Sequence, residues 1–597
     1  MRSCFNRTVV TLALLSASVS ASVSQGQIQT QPVEIIEAAP PAVFSERSGY
    51  WPTQEFSTDT LLQDSSTLND RWNSVPGVQA REGGSPTLSI RGSAQADRVL
   101  KLFEGAALNM ADGVGASDLL IPTEVMSQAS ILKGPASVFY GTSAMSGAVD
   151  HRLRYFERVA FKGALADDSG TFGTRSVGVI APHISLSGST RAQASLFHEN
   201  RPGRFKFKST TSDAEGRRSD NSTETTRATM AGDTQIGKWH LGARLVAATA
   251  EGENPGSLYF PFLSSFQNTG TLATVEASRS VGDSHLASLR VTNTRLEGNY
   301  DSGTPSESTS SVSRTALNAD VRSILTEKIL ARSFLDVSFN TLSASYVGDR
   351  KFHLSDTEVG QSYEIALSSN LVLQPAYRYS SRYGQLFKAI GAVLSQNKFS
   401  EFITYGEGFR APSLTDRYAN YSTFQGNPSL KPERSTALEI GANFEQGRRF
   451  GSFLDGFAAK GSMYTIRFED IVDTQANGSV FTKVNAGKAQ TNGAEVSLAY
   501  GVKVWMFSYG YNYLDAKNKT ANEPLRLAPE HQGVFTVAQL IGPALIEARK
   551  TWWSAFYDRD PLAGTLRSLP SWQTYDLTVR TLGLSDWEIK AGVMNLF

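Results

Sequence analysis

The sequence predicts an all-β transmembrane barrel whose lumen is filled by a smaller N-terminal α+β domain. Three observations carry this. From about residue 155 onward, apolar and polar residues alternate with period two, the signature of a sheet with one apolar and one polar face. The apolar parity is rich in Trp, Tyr and Phe, as the aromatic girdles of membrane barrels are. Apart from the extreme N-terminus, no run approaches the roughly 18 apolar residues that a spanning helix needs. A chain that crosses a bilayer without such helices must close its strands into a ring, so that every amide and carbonyl is paired. A soluble β-sandwich gives the same alternation, but not over so long a stretch.

Composition narrows the classes. The chain has 597 residues, 40% of them apolar and 19% charged, with mean hydropathy −0.24. It is neither disordered overall nor a helical membrane bundle. Lys plus Arg and Asp plus Glu both number 57, which leaves no basic footprint for nucleic acid. The single cysteine, Cys4, excludes a disulfide scaffold and a thiolate metal cluster. The seven histidines never come closer than His183 and His198, so no His-x-x-x-His zinc helix exists and no metal ligand set is expected. An enzyme is not expected either. Gly141-Thr142-Ser143 and Gly83-Gly84-Ser85 both lack the last glycine of a Gly-x-Ser-x-Gly elbow, and no phosphate loop is present. No cofactor is implied.

Arg2 and Arg7, the apolar Val9 to Leu15 and the small residues around Ala21 and Ser24 read as a secretory signal peptide over 1–24. Residues 25–56 form a periplasmic segment. Within it, Val33-Glu34-Ile35-Ile36-Glu37 is β-prone and lies between Pro32 and Pro40-Pro41. Proline ends strand pairing, so this window suits a single strand added to a partner's sheet edge.

Residues 57–150 are mixed and Gly-rich. A helix is expected over Ser65 to Asn73, with Leu68 and Trp72 at i,i+4, ending before Val75-Pro76-Gly77-Val78. Strands are expected at Thr87 to Arg91 and Arg98 to Phe103, each closed by glycine.

Residues 151–597 are the barrel. At roughly 10 residues per spanning strand, about 22 strands would leave about 10 residues per connection. A barrel that wide needs a plug. Leu438, Ile440, Ala442 and Phe444 share one parity with Glu439 and Asn443 opposite; Trp239, Leu241, Ala243 and Leu245 face away from His240 and Arg244. Trp505, Phe507, Tyr509 and Tyr511, then Tyr575, Leu577 and Val579, repeat the pattern. The polar tract Asn200 to Asp233 and the aromatic-rich Leu258 to Phe266 are expected as long loops.

Several blocks resemble TonB-dependent outer-membrane receptors. In the plug region these are Asn73 to Gly92, including Arg91-Gly92, then Arg98 to Asn109, then Ile131 to Val149 with Lys133-Gly134-Pro135 and Tyr140-Gly141. In the barrel they are Tyr405 to Pro412 with Phe409-Arg410 and Pro412, Gly426 to Glu433 with Asn427-Pro428, Asn485-Ala486-Gly487, Gly493-Ala494-Glu495-Val496 and the closing Asn595-Leu596-Phe597. The resemblance implies an outer-membrane location in a Gram-negative bacterium and energy-coupled import of a scarce chelate. The expected partners are TonB with its inner-membrane energising complex, outer-membrane lipid, and a ferric siderophore, with cobalamin as the alternative and haem after it. No histidine lies from Ser413 to Gln425, where haem receptors place one. A passive porin or adhesin is the rival of another class. By the resemblance, residues 33–37 are the TonB box and Arg91 is a structural plug residue. Ligand contact falls to the plug tips, with Arg81, Ser85, Asn109 and Asp112 as candidates, and to loop aromatics, with Tyr259 and Phe260. Two departures stand out. Ser127, Gln128, Ala129 and Ser130 replace the charges that usually tie plug to barrel, which predicts a different and weaker lock. One further strand is also expected after Phe597, because an odd number would force a parallel closure.

Overall fold

The computed structural model describes residues 9–12, 16–17, 53–57, 72–73, 75–81, 87–93, 98–113, 116–167, 174–184, 188–201, 203, 205–208, 215–218, 221–256, 261–301, 308–348, 350–421, 424–450, 453–477, 480–559, 565–581, 587–588 and 590–594. Among these, twenty-one strands from Ala160–Asp167 to Lys590–Met594 pair in chain order, each antiparallel to the next, in one large sheet curled into a barrel. The first and last of them do not pair directly. Val9–Leu12 lies between them, antiparallel to both. An odd set of antiparallel strands leaves its two edges parallel, so an intervening strand is what lets both edges pair in the antiparallel manner. Val9 to Leu12, expected as the apolar core of a leader, is here a short strand; the rest of the expected leader lies outside the described residues apart from Ser16–Ala17, also a strand.

Alternation sets the faces. Trp239, Leu245, Leu438 and Ile440 point outward and are exposed, whereas Arg244 and Glu439, next to them in sequence, are buried in the lumen. An apolar outer surface of this extent suits hydrocarbon rather than water. Connections are short at one end of the barrel, as between Ile236 and Trp239 or Val502 and Trp505, and longer at the other. In outer-membrane barrels the end with short connections is the periplasmic one. Trp505 lies within 6.0 Å of Phe507 beside one short turn.

Strands run far past the expected ten residues, up to 25 in Phe453–Asn477. Two expected loops therefore shrink. The tract from Asn200 to Asp233 contains the end of Thr190–Arg201, a small hairpin of Phe205–Lys208 and Glu215–Arg218, and most of the spanning strand Thr223–Ile236. Its outward Ala228 and Met230 and inward Arg227 and Asp233 alternate correctly, but Thr and Ala add little hydropathy to the signal. Likewise, from Leu258 to Phe266, the part from Pro261 onward already belongs to the strand Pro261–Val281.

The domain before the barrel is built on a five-stranded sheet in the order Thr53–Ser57, Met126–Lys133, Gly147–Leu153, Val99–Phe103 and Ala106–Ala107. A hairpin of Val78–Arg81 and Thr87–Ile90 and a one-turn helix Ser137–Tyr140 complete it. Most of the expected helix Ser65 to Asn73 lies outside the described residues; Trp72 and Asn73 are helical. The core of this domain, with Val99, Phe103, Leu120, Ile131 and Val149, continues into Val246, Leu272, Leu296, Val312 and Leu342 on the lumen face of the barrel. The domain is thus packed inside the barrel, as a plug.

Candidate functional site: the plug and the two walls that face it

Plug and barrel meet first through buried charge. Arg91 ends a plug strand in the left-handed region (φ 52°). Its guanidinium donates to both carboxylate oxygens of Glu439 at 2.8 and 2.9 Å and to Glu495 at 3.0 Å, and it lies 3.8 Å from the centre of the Tyr464 ring. The Lys133 ammonium donates to the other Glu495 oxygen at 2.8 Å and to the Pro76 carbonyl at 2.6 Å. Arg98 reaches Glu433 through two bonds of 2.7 and 3.0 Å, and Arg410 approaches the same carboxylate at 3.3 Å. Burial alone would lower the Arg91 pKa, but Glu439 and Glu495 outweigh it and hold the group well above its ordinary value. At Lys133 burial wins over Glu495, and the pKa is lowered. Gln532 adds a neutral clamp. Its amide nitrogen donates to the carbonyls of Asn73, Val75 and Val78, and its oxygen accepts from Gly77 N–H at 3.0 Å. Gly77 has φ 75°, and a Cβ there would lie 2.5 Å from Glu495 Oε1, so only glycine fits.

The lock expected to differ because Ser127 to Ser130 carry no charge is made at other positions. Ion pairs elsewhere make the lock: Arg91, Lys133 and Arg98 from the plug, and Glu433, Glu439 and Glu495 from the barrel. On another side Arg227 of the barrel pairs with plug Glu124 at 3.0 Å and Arg244 with Glu104 at 3.5 Å.

One plug face packs its Leu100, Leu102 and Phe139 on Ala376, Phe387, Ala389 and Phe409 of the barrel, and beyond that contact, at Asn109 and Tyr140, it stands off. Between it and the wall of strands from Pro261–Val281 to Leu371–Ser380 lies a cavity of about 1830 Å³, open to solvent. Small inward residues, Thr292, Ala316 and Ser338, make the space. Arginines and acids ring it: Arg290 pairs with Glu276 at 2.8 Å, Arg322 and Arg332 with Asp320, and Arg378 with Glu358 and, at 2.8 Å, with Asp336. Arg378 also donates to the Val138 and Phe139 carbonyls at 3.1 Å, touching the plug helix. Gly141, with φ 83°, follows that helix; a Cβ there would meet Glu358 Oε2 at 2.5 Å. Asp233, His240 and Glu276 hold one ligand atom each within 4.8 Å of one another. Arg244 and Arg290 already engage their carboxylates.

The structure separates the predicted residues. Arg91, Gly92, Lys133, Gly134, Pro135, Tyr140 and Gly141 all sit on the plug surface or core facing the barrel. Phe409 stacks on Phe387 at 4.2 Å beneath the plug helix, and its backbone N–H donates to Ser137 Oγ at 3.0 Å. Arg410 pairs with Asp416 at 2.7 Å, bracing the loop helix Leu414–Tyr418 that begins after Pro412. Asn427 donates to the Lys483 carbonyl at 3.0 Å and accepts from Ser429 N–H at 2.9 Å; with Pro428, whose carbonyl accepts from Arg417, it shapes the same loop. Asn109 lines the cavity, yet its amide is already used: it accepts from Lys101 N–H at 2.7 Å and donates to the Val99 carbonyl at 3.0 Å. It braces the plug tip rather than presenting a free amide. Asp112 is buried, and nearby the Ala111 carbonyl accepts from Leu414 N–H. Arg81 is placed only by its backbone, at the end of Val78–Arg81. Ser85, Tyr259, Phe260 and the window Val33, Glu34, Ile35, Ile36 and Glu37 lie outside the described residues.

The barrel carboxylates were missed as site residues. Their signal was present: a lone Glu at the inward parity of an otherwise apolar strand, as Glu439 is between Leu438 and Ile440.

The family model described as TonB dependent receptor-like, beta-barrel matches residues 159–596, and the TonB-dependent Receptor Plug Domain model matches residues 52–148. The chain belongs to the TonB-dependent receptor family. Among curated relatives, the vitamin B12 transporter BtuB of Vibrio vulnificus (strain YJ016) is 24% identical over 481 residues, spanning 76% of this chain and 73% of that one. Among solved structures, the siderophore receptor PirA from Acinetobacter baumannii has a TM-score of 0.76 at 13% identity, covering 91% of the receptor and 98% of PirA. The ferric-catecholate import receptor Fiu from E. coli K12 has a TM-score of 0.73 at 14% identity, covering 94% of each. At those identities the solved structures establish the receptor's fold. The family is one of outer-membrane receptors rather than enzymes.

Proposed function

We propose that the receptor imports a scarce metal chelate across the outer membrane of a Gram-negative bacterium, a ferric siderophore first. The observation that carries this is the plug bound into the lumen by Arg91, Lys133 and Arg98: cargo cannot pass until work is done on those contacts. TonB, driven by its inner-membrane complex, supplies that work, and residues 33–37 are the strand it would pull. Cobalamin is the second reading, favoured by the similarity to a vitamin B12 transporter over three quarters of the chain.

The test is uptake of labelled ferric siderophores and labelled cobalamin by cells carrying the receptor, with and without a proton uncoupler. Uptake abolished by the uncoupler supports the reading and names the cargo. A steady open conductance of the intact receptor in planar bilayers would instead make it a porin. Ile35→Pro should abolish uptake with surface binding intact; unchanged uptake removes residues 33–37 as the TonB contact. Residues 1–24 remain the proposed leader, whose cleavage would take Val9–Leu12 out of the seam between the first and last barrel strands, and an intact mass that begins at Met1 would overturn that.

A further inference from the structure

We propose that Arg314 is the anion contact of a second, inner cargo site, set in the cavity between the plug and the strands from Pro261–Val281 to Leu371–Ser380. This rests on the importer reading and deepens it, by naming the chemical class the passage recognises.

Arg314 lies in Ser308–Thr326 at the inward parity, between the buried Val312 and Ala316, and it lines the cavity. Its register partners are the neutral Thr294 and Asn340. The other arginines of this cavity are engaged: Arg290 by Glu276, Arg322 and Arg332 by Asp320, Arg378 by Glu358 and Asp336, while Arg382 donates to the Ser355 carbonyl at 3.1 Å. Arg314 forms no hydrogen bond or ion pair among the described residues, and its Nε is shut off from water.

The acids that oppose its charge are Glu358, Asp336 and Asp356. Each already accepts from another group: Glu358 from Arg378, Asp336 from Asn318 at 2.5 Å, Asp356 from Ser380 at 3.0 Å. These acids offset the arginine's charge without satisfying its donors. A guanidinium presents five N–H groups in a planar fork that matches a carboxylate, catecholate or phosphate oxygen pair. The terminal Nη donors of Arg314 have no partner among the described residues and are not shut off from the cavity, so an incoming oxyanion can pair with them. The surrounding Leu102, Phe139, Tyr140, Ala316 and Phe334 give an apolar bed for the rest of the cargo.

Two measurements on the full chain test this. In cells, initial uptake of an anionic ferric tricatecholate, of cyanocobalamin with its phosphodiester, and of a neutral ferric trihydroxamate is compared between the native receptor, Arg314→Gln and Arg314→Lys. For whichever anionic cargo is imported, Arg314→Gln should lower uptake about tenfold, roughly one charge-assisted hydrogen bond. Surface binding in de-energised cells should be unchanged, and Arg314→Lys should recover part of the loss. Any uptake of the neutral complex should not change. Equal rates for all three chains overturn the proposal. With purified receptor, phenylglyoxal labelling read by mass spectrometry should modify Arg314, and citrate or inorganic phosphate should slow that modification several-fold, while Arg378 is unaffected. Labelling of Arg314 that neither anion slows overturns the inner site. Because this arm needs no cargo, failure of every cargo to enter native cells sinks the importer reading and leaves the inner site to be judged by the labelling.

Discussion

Two walls of one barrel treat the same plug in opposite ways. The wall containing Glu433–Phe450, Val480–Val502 and His531–Ile541 grips it with Glu433, Glu439, Glu495 and Gln532. The wall from Pro261–Val281 to Leu371–Ser380 packs on it through Leu272, Leu296, Val312 and Leu342 and touches the plug helix through Arg378, but stands off around Thr292, Ala316 and Ser338. Both are antiparallel strands with the same outward apolar parity, so backbone geometry does not distinguish them. The difference lies in the inward side chains. Long acids and a glutamine reach the plug on one side, whereas Thr292, Ala316 and Ser338 are too short to reach it on the other. Ion-pair grip and open space thereby fall on different parts of the circumference.

The strongest way to break this contrast is Arg91→Ala. It leaves Glu439 buried without its bidentate partner and should destabilise the seated plug by about 3–5 kcal/mol, since one partner of a buried ion pair is lost. Hydrogen exchange should show plug amides exposed while the barrel persists, and single-channel recordings should show leak. Replacing Arg91 and Glu439 together by apolar residues should cost less than Arg91→Ala alone.

Gln532→Leu removes the partner of Gly77 N–H and of three carbonyls at once, and should cost about 3 kcal/mol by the same exchange measurement, the upper end for an unsatisfied buried group. Gly141→Ala probes the other wall at the tight approach beside the plug helix. The positive φ and the Glu358 oxygen 2.5 Å from the new Cβ should cost about 2 kcal/mol. An unchanged plug stability would mean that the helix can retreat into the cavity.

His151 gives a pH-dependent effect inside the plug. Burial, only partly offset by its bond to the Leu102 carbonyl and by Asp150 and Asp118, with Lys101 acting the other way, holds its pKa below the ordinary 6.5. Below pH 6.5 the unfolded plug takes up a proton that the folded plug refuses. This contribution to stability is therefore complete above that value and is lost as pH falls through it. Plug protection factors, with the intrinsic pH dependence of amide exchange divided out, should fall as pH falls from 7.5 to 5.5, and His151→Gln should flatten that fall. Ser288→Ala, on the cavity lining, should change stability by no more than about 0.5 kcal/mol, because the plug does not rest there.

Much of the architecture was legible in the chain. Period-two alternation placed Leu438 and Ile440 on the lipid face and Glu439 in the lumen, because a strand leaves a side chain no third direction. Thr87 to Arg91 and Arg98 to Phe103 were found to within a residue, since glycine bounds both. The strand through Thr223 to Asp233 was missed because Thr and Ala carry strand propensity with little hydropathy. The site was less legible. Lys133-Gly134-Pro135 and Tyr140-Gly141 pointed to the plug surface, but nothing local said that Lys133 would meet Glu495, 362 residues away.

The sequence alone determined which residues face lipid and which face the lumen, because that follows from periodicity, and the family resemblance of residues 73–149 placed a plug before the barrel. Only the tertiary structure decided which lumen residues grip the plug, which border open space, and that Arg314 has no hydrogen-bond or ion-pair partner there among the described residues. Those facts depend on strand register and on the rotation of the plug inside the barrel. Contacts between residues hundreds of positions apart set both, and no local pattern encodes them.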